Sequence, residues 1–563
     1  MTPSQITAPA LDPPPFSQAA PLPKLTPEYM EKMYPAYLEL VQAQVFFRHG
    51  ERTPAKMRLH NQQQAWPFCQ RANFLHSEFM KAVNRFVPRE ETMPVPNPQM
   101  VGGKDSRYTE KTGTLKSGLE YEPAKWSVRL EPSNPDNSMV DLSDGKEGKA
   151  WDPKACEMGQ LSDIGLDTLY RTGAFLRSLY IDKLGFVPSD PESASAHKNK
   201  GRLSDWLYIR STDYSRVIQS THALLVGMYP GHPRSAWNGD WTAFNADFLR
   251  LFPMHTRLHR HETMNGNFAC YNFFKHFIDV TVDSDNSFKW INDVYRQTIG
   301  LQSIGQRAKE MMNKPHFGSN FHPIYDELVS LAAHGGKLPD DVSLDLMDSL
   351  GAVAYHQWAR RVYFLQVQRL GFGRLVDDIV QTMAQAAALS DEQLADSSRR
   401  PVLGPQTRGD LVLAPGGIRE PRKEEMPRVP RLALYGGHDV TLAPMSIIMG
   451  GQNHHRWLPF ASTLTFELFK DKGSRNSSVQ EEISDLPRPV TVPRDLKTKG
   501  YYVRVRFNDQ VMQVPTCEVP GKHHPQMGSS MCTLAAFFEH LEPVIATEEQ
   551  LKKECGTMPV AED

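Results

Sequence analysis

The 563 residues nowhere contain the roughly 18 to 20 consecutive apolar residues that a membrane-spanning helix needs. Charge of one sign is not in excess either: 63 Lys and Arg face 65 Asp and Glu, for a net charge of −2. A balanced chain has no global pull toward nucleic acid or an anionic membrane, so any anion binding must come from a local cluster. No phosphate-cradling G-x-x-x-x-G-K-[ST] loop and no clustered Asp/Glu set is visible, which removes the usual Mg²⁺–nucleotide chemistries. The amino terminus lacks a basic start followed by an apolar core, so no secretory signal is expected. It also lacks arginine up to Arg48, unlike a transit peptide. The expectation is an intracellular, cytoplasmic protein, with the mitochondrion as the alternative.

Cysteine is sparse. Six stand at 69, 156, 270, 517, 532 and 555, with no C-x-x-C spacing. In an intracellular chain of this size they are expected as reduced, mostly buried thiols, with Cys517 and Cys532 the best candidates for a bridge. The sequon at Asn476 has meaning only after secretion. Proline is plentiful, at 43 residues, and falls largely in segments without periodicity.

The chain is too long for one compact core, so several parts are expected. Residues 1–35 form a Pro-rich disordered leader. Residues 36–235 are a first α/β segment interrupted by an irregular excursion at 55–155. Residues 236–350 are rich in aromatics and histidines and show no strand alternation, which predicts a helical cap. Residues 351–545 are a second α/β segment with polar insertions at 390–430 and 471–498, and 546–563 are a tail. A long amphipathic helix is predicted over 353–383, with Val362, Leu365, Val367 or Gln368, Leu370 and Leu375 near its buried stripe. LTFELF and YYVRVRF alternate as an antiparallel hairpin.

Three times an apolar strand ends in reactive residues and gives way to a helix: VFFRHGERTP at 45–54, LYIRSTDYSR at 207–216 and LALYGGHDVTLAP at 432–444. In open α/β sheets that carboxyl edge is where ligands bind. Gathered together, Arg48, Arg52 and Arg210 with His49 and His438 make a sink for a tetrahedral oxyanion. Guanidinium forks suit phosphate, imidazoles can attack near neutrality, and Asp439 can protonate a departing alkoxide. This set suits phosphoryl transfer through a covalent intermediate with no cofactor and no metal, because fixed guanidiniums neutralise the charge. Arg216, in the same block as Arg210, is assigned to structural pairing. The run His255, His259, His261, Glu262 invites a zinc reading but offers no further ligand at a sensible spacing. Trp237, Trp241, Phe244, Phe248, Phe252, Phe268, Tyr271, Phe273 and Phe274 are read as core, with an acyl-binding cleft as the alternative.

RHGERTP, IRSTDYSR and GGHDVTLAP, together with GQLSDIG at 159–165, resemble in order the signature blocks of the histidine acid phosphatases, within the histidine phosphatase superfamily (clade 2). The resemblance covers about 40–235 and 350–540. The run from HDVTLAP through RWLPFASTLTFELF to YYVRVRF is similar to the lysophosphatidic acid phosphatase branch. It implies a three-layer α/β sandwich, with a central mostly parallel sheet flanked by helices, plus a mainly helical cap. It further implies His49 as nucleophile, Asp439 as proton donor, and Arg48, Arg52, Arg210 and His438 as phosphate ligands. The implied activity is acid phosphatase action on small phosphomonoesters, lysophosphatidic acid among them, with 2-phosphoxylose and phytate as other sugar-phosphate candidates. The contrasting reading is an idle relative kept as a scaffold, its insertions docking partners.

Overall fold

In the computed structural model, the residues described are 22–55, 59, 69–75, 156–191, 205–232, 246–258, 261–267, 270–279, 289–312, 321–404, 410–414, 417–422, 425–451, 457–473, 491–493, 495–496 and 498–556. Most of the 55–155 excursion and of the 471–498 insertion, with Asn476, His259, Trp237, Trp241, Phe244 and Phe268, lies outside them. So do residues 1–21 of the leader, while its later part holds a helix, α1 (Pro27–Met33). There Thr26 accepts from Tyr29 N and Pro27 opens the first turn.

The backbone of the molecule is a mixed sheet. Its central strands are β1 (Leu38–Arg48), β6 (Leu432–Gly437), β2 (Leu207–Ser211) and β3 (Met254–Arg257), adjacent in that order and mutually parallel. Antiparallel strands extend both sides. β4 (Asp410–Ala414) and β5 (Gly417–Arg419) follow β3, while β7 (Thr463–Asp471), β8 (Tyr501–Phe507), β11 (Gly528–Thr533) and β10 (His523–His524) follow β1; β9 (Gln510–Val511) pairs with β8. The hairpin expected from LTFELF and YYVRVRF is β7–β8.

β1 is buried on both faces, as a parallel strand between helical layers must be. Ala43, Val45 and Phe47 join one core with α2 (Asp163–Leu176) and α3 (Ser215–Met228). Phe46 joins the other, while Gln42 and Gln44 on that side bond the carbonyls of Pro430 and Ile379. Val41 belongs to the second core despite its odd number, because a bulge between Leu40 and Gln42 breaks the alternation.

The cap consists of α4 (Tyr271–Asp279), α5 (Lys289–Gly300), α6 (Gln302–Met312), α7 (His322–Ala333) and α8 (Leu344–Val362). Two departures from expectation stand out here. β3 is a strand inside the segment predicted as helical; with four residues it is too short to show alternation, and its register with β2 recruits it. The predicted single helix is two, α8 and α9 (Leu365–Ala387), parted at Tyr363 and Phe364, so Leu365 lies 50% exposed instead of in the buried stripe. The apolar spacing runs through the break, which conceals it. Phe248, Phe252 and Phe273 are core. Beyond α9, the 390–430 insertion contributes α10 (Asp391–Ala395) as well as β4 and β5. The chain continues with α11 (Asp439–Ile448), α12 (Leu534–Leu541) and α13 (Glu548–Glu554).

The expectation of reduced thiols fails. Cys69–Cys156, Cys270–Cys555 and Cys517–Cys532 are all disulfides, with Cα–Cα separations of 5.6, 4.7 and 5.1 Å. Two of the three span sequence separations of 87 and 285 residues, which no local spacing announces.

Candidate active site

The carboxyl ends of β1 and β6 lie side by side, Arg48 opposite Gly437, so the first and third blocks share one edge of the sheet. β2 adjoins β6 with Ser211 opposite Gly436, bringing the second block alongside. The loop after β1 is fixed by close backbone approach. A Cβ on Gly50 would sit 2.4 Å from Gly165 O, and one on Gly165 would sit 2.2 Å from Glu51 O. Only glycines allow α2 to meet the loop after β1 this tightly. Ser162, the N-cap of α2, accepts from Gly165 N and donates to Glu51 O, and Gly50 N donates to Ser220 on α3.

His49 is buried, and its Nδ1 lies 2.9 Å from Gly50 O. A carbonyl oxygen only accepts, so Nδ1 carries the proton and Nε2 is left with its lone pair. Burial, and then the positive charges of Arg216, Arg52 and Arg48, hold its pKa well below the ordinary imidazole value, so the ring is neutral. His438 stands with its ring 5.4 Å from that of His49, and its Nε2 is 3.0 Å from Thr212 Oγ1. Its pKa is depressed by burial and then by Arg216.

Asp439 opens α11, where the helix N-terminus favours an anion. Its Oδ2 accepts from Trp457 Nε1 at 3.0 Å and pairs with Arg48 Nη2 at 2.7 Å, while Val440 N donates to Oδ1. Burial alone would raise its pKa; Arg48, His322 and Arg52 pull it well below the usual carboxylate range. Arg48 is further held by Leu458 O and lies 4.2 Å from the Phe460 ring centroid. Arg52 makes a two-pronged pair with Asp326 of α7, at 3.1 and 2.8 Å. Asp326 also accepts from Ala55 N.

Arg210 requires a correction. It stands next to the last residue of β2, but its guanidinium points into a separate buried cluster, donating to Glu262, Thr263 and Asp378. Arg257 joins the same cluster through Asp378 and Asp410. The cationic side chain of this block that bears on both histidines is Arg216, the second residue of α3, which the sequence reading set aside as structural. Glu262, one of the residues that invited a zinc reading, bonds Arg210 and Met264 N. The contributions of Asp326 and His322 could not be found from sequence, since they come from a cap helix with no recognisable pattern. Trp457 stands in the RWLPF run but nothing in that run signals its bond to Asp439.

This geometry has relatives. Residues 39–317 match the family model described as "Histidine phosphatase superfamily (branch 2)". A protein named "Probable acid phosphatase" from Schizosaccharomyces pombe is 23% identical over 90% of this chain and 91% of its own length. Lysophosphatidic acid phosphatase type 6 of Pongo abelii is 22% identical over 68% of this chain and 75% of its own. The corresponding values for 2-phosphoxylose phosphatase 1 of Homo sapiens are 22%, 80% and 71%. Among solved structures, the Hafnia alvei phytase bound to tartrate matches over 93% of this chain and all of its own, at 12% identity and a TM-score of 0.45. By the family match over residues 39–317 and by these curated relatives, the chain is similar to the histidine phosphatase superfamily, branch 2.

Proposed function

We propose that this protein hydrolyses phosphomonoesters through a phosphohistidine on Nε2 of His49. The observation that carries the reading is the fixed tautomer: Gly50 O holds the proton on Nδ1 and leaves Nε2 free of it, beneath cationic side chains. Nε2 attacks phosphorus, the P–O ester bond breaks, and its electron pair leaves on the alcohol oxygen, which takes a proton from Asp439. Water then attacks the phosphohistidine, Asp439 recovers a proton from it, the P–N bond breaks and inorganic phosphate departs. Arg48, Arg52 and Arg216 take the spread charge of the equatorial oxygens, and His438 supplies a further contact.

Asp439 starts this cycle as an anion paired with Arg48. An arriving phosphate competes for that guanidinium. Loss of the pair raises the proton affinity of the carboxyl, so substrate entry itself loads the acid. Lysophosphatidic acid is the substrate that the branch resemblance favours. The three disulfides support maturation in an oxidising compartment rather than the cytoplasm, and thiol alkylation of the unreduced protein checks this.

Release of phosphate from an aryl phosphate by wild type and not by His49→Ala, with acid-labile ³²P trapped on wild type alone, is the expected result. Equal rates from both would end the reading.

A further inference from the structure

Arg52 is one of the three guanidiniums that take the equatorial charge, yet its outer end is already occupied. Nη1 donates to Thr53 O at 2.9 Å and to Asp326 Oδ2 at 3.1 Å, and Nη2 donates to Asp326 Oδ1 at 2.8 Å. Both hydrogens of Nη1 are therefore spent, together with the outward one of Nη2. What remains is the side edge of the fork: one hydrogen on Nη2 and the one on Nε. Nε is buried and has no hydrogen-bond partner among the described residues. A buried charged donor without an acceptor is costly, and two parallel donors on one planar edge match two oxygens of a phosphate. An orphaned Nε is not enough by itself, since Arg210 has one as well. Arg52 differs in that its charge bears on both His49 and His438.

The group that turns Arg52 this way comes from the cap. Asp326 lies on α7, is buried like its partner, and accepts at Oδ2 from Ala55 N at 3.0 Å as well. Its neighbour Glu327 accepts from Leu59 N at 3.0 Å, so α7 grips the chain beyond Arg52 at two further points. Burial disfavours the charge of Asp326, but Arg52 holds its pKa below the ordinary carboxylate value, so the grip is made by an anion.

We propose that Asp326 is a positioning residue of the phosphate site: by occupying the outer end of Arg52 it presents the Nε–Nη2 edge to two equatorial oxygens of the phosphoryl group. This rests on the phosphohistidine reading of His49. The cap thereby enters the chemistry without touching the substrate. Loss of Asp326 leaves the charge of Arg52 in the site but not its direction. Inorganic phosphate, which needs the charge more than the aim, should bind nearly as before. Turnover needs both and should fall.

The test is a double-mutant cycle on an aryl phosphate, read as kcat and as the inhibition constant of inorganic phosphate. Asp326→Asn, close to the native shape, is expected to lower kcat about 10- to 100-fold while phosphate inhibition stays within about threefold of wild type. Asp326→Glu keeps the charge and displaces it by one methylene. It should show the same split in milder form, and it serves if the Asn variant does not fold. Arg52→Met should lose in both readouts. Adding Asp326→Asn to Arg52→Met should cost nothing further, because a side chain that acts through Arg52 then has nothing to aim. Denaturation of each variant puts kcat on the basis of folded molecules. Losses that multiply in the double variant, phosphate inhibition weakened as much as kcat, or an unchanged kcat in folded Asp326→Asn would overturn the proposal while leaving the phosphatase reading intact. Wild type that releases phosphate from no substrate would instead remove the phosphatase reading itself.

Discussion

The block IRSTDYSR feeds two buried charge clusters that behave in opposite ways. Arg210 and Arg257 are matched by Glu262, Asp378 and Asp410, with Thr263 closing the network, so the charges cancel internally. Around His49, by contrast, the strongest charges are those of Arg216, Arg52 and Arg48, all positive. Asp326 and Asp439 hold two of these side chains in place. One cluster locks β2, β3 and α9 together; the other turns its guanidiniums' charge on a histidine. Six residues of sequence separate the arginine that braces from the one that bears on the histidines.

The comparison breaks first on stability. Arg210→Met leaves Glu262 and Asp378 buried without their partner, and removal of one member of a buried pair costs about 3–5 kcal/mol. Chemical denaturation should show that loss, while kcat of the folded fraction stays near wild type. Arg216→Met should do the reverse: about 10²- to 10³-fold lower kcat/KM, as for loss of one charge-stabilising donor, with little change in the denaturation midpoint. If Arg210→Met abolishes turnover in a well-folded protein and Arg216→Met does not, the assignment of the two side chains is inverted.

A smaller effect tests the residue between them. Burial, and then Glu262, raise the Asp213 pKa from its usual value to about 7. A carboxyl that is hard to ionise in the fold, yet ionises freely when unfolded, contributes its full stability below pH 4. That contribution is lost progressively as pH rises toward 7. Asp213→Asn should therefore gain on the order of 2 kcal/mol at pH 7.5 and nothing at pH 4, read from denaturation at the two pH values. A gain of equal size at both pH values would exclude titration as its cause. The smallest signal is proton uptake. Calorimetry of inorganic phosphate binding near pH 5.5, in buffers of different ionisation enthalpy, should show up to about one proton taken up per site through Asp439. Asp439→Asn should abolish it, and uptake that persists in this variant would assign the proton elsewhere.

Much of this architecture is written locally. β1, β6 and β2 announce themselves as short apolar runs ending in reactive residues, and the N-cap Ser162 and the β7–β8 hairpin follow from ordinary cap and alternation rules. The role of Arg210 was not legible because its fate depends on partners far away in sequence. β3 is too brief to be seen in the pattern, yet it carries Arg257 and leads to Glu262 and Thr263, while Asp378 arrives from α9. Asp326 and His322 share one face of α7, one turn apart, and no spacing rule links a cap helix to a loop some 270 residues earlier. Disulfides across 87 and 285 residues are invisible for the same reason.

Gly50 and Gly165 touch main chain to main chain, without an intervening side chain. A joint of that kind has no rotamer to adjust, so an error in either partner passes undamped to His49 one residue away. Attempts to improve the enzyme by random substitution should find these two positions closed, even to alanine, although neither offers an atom beyond the main chain for a substrate to meet. Useful variation must enter through the cap instead.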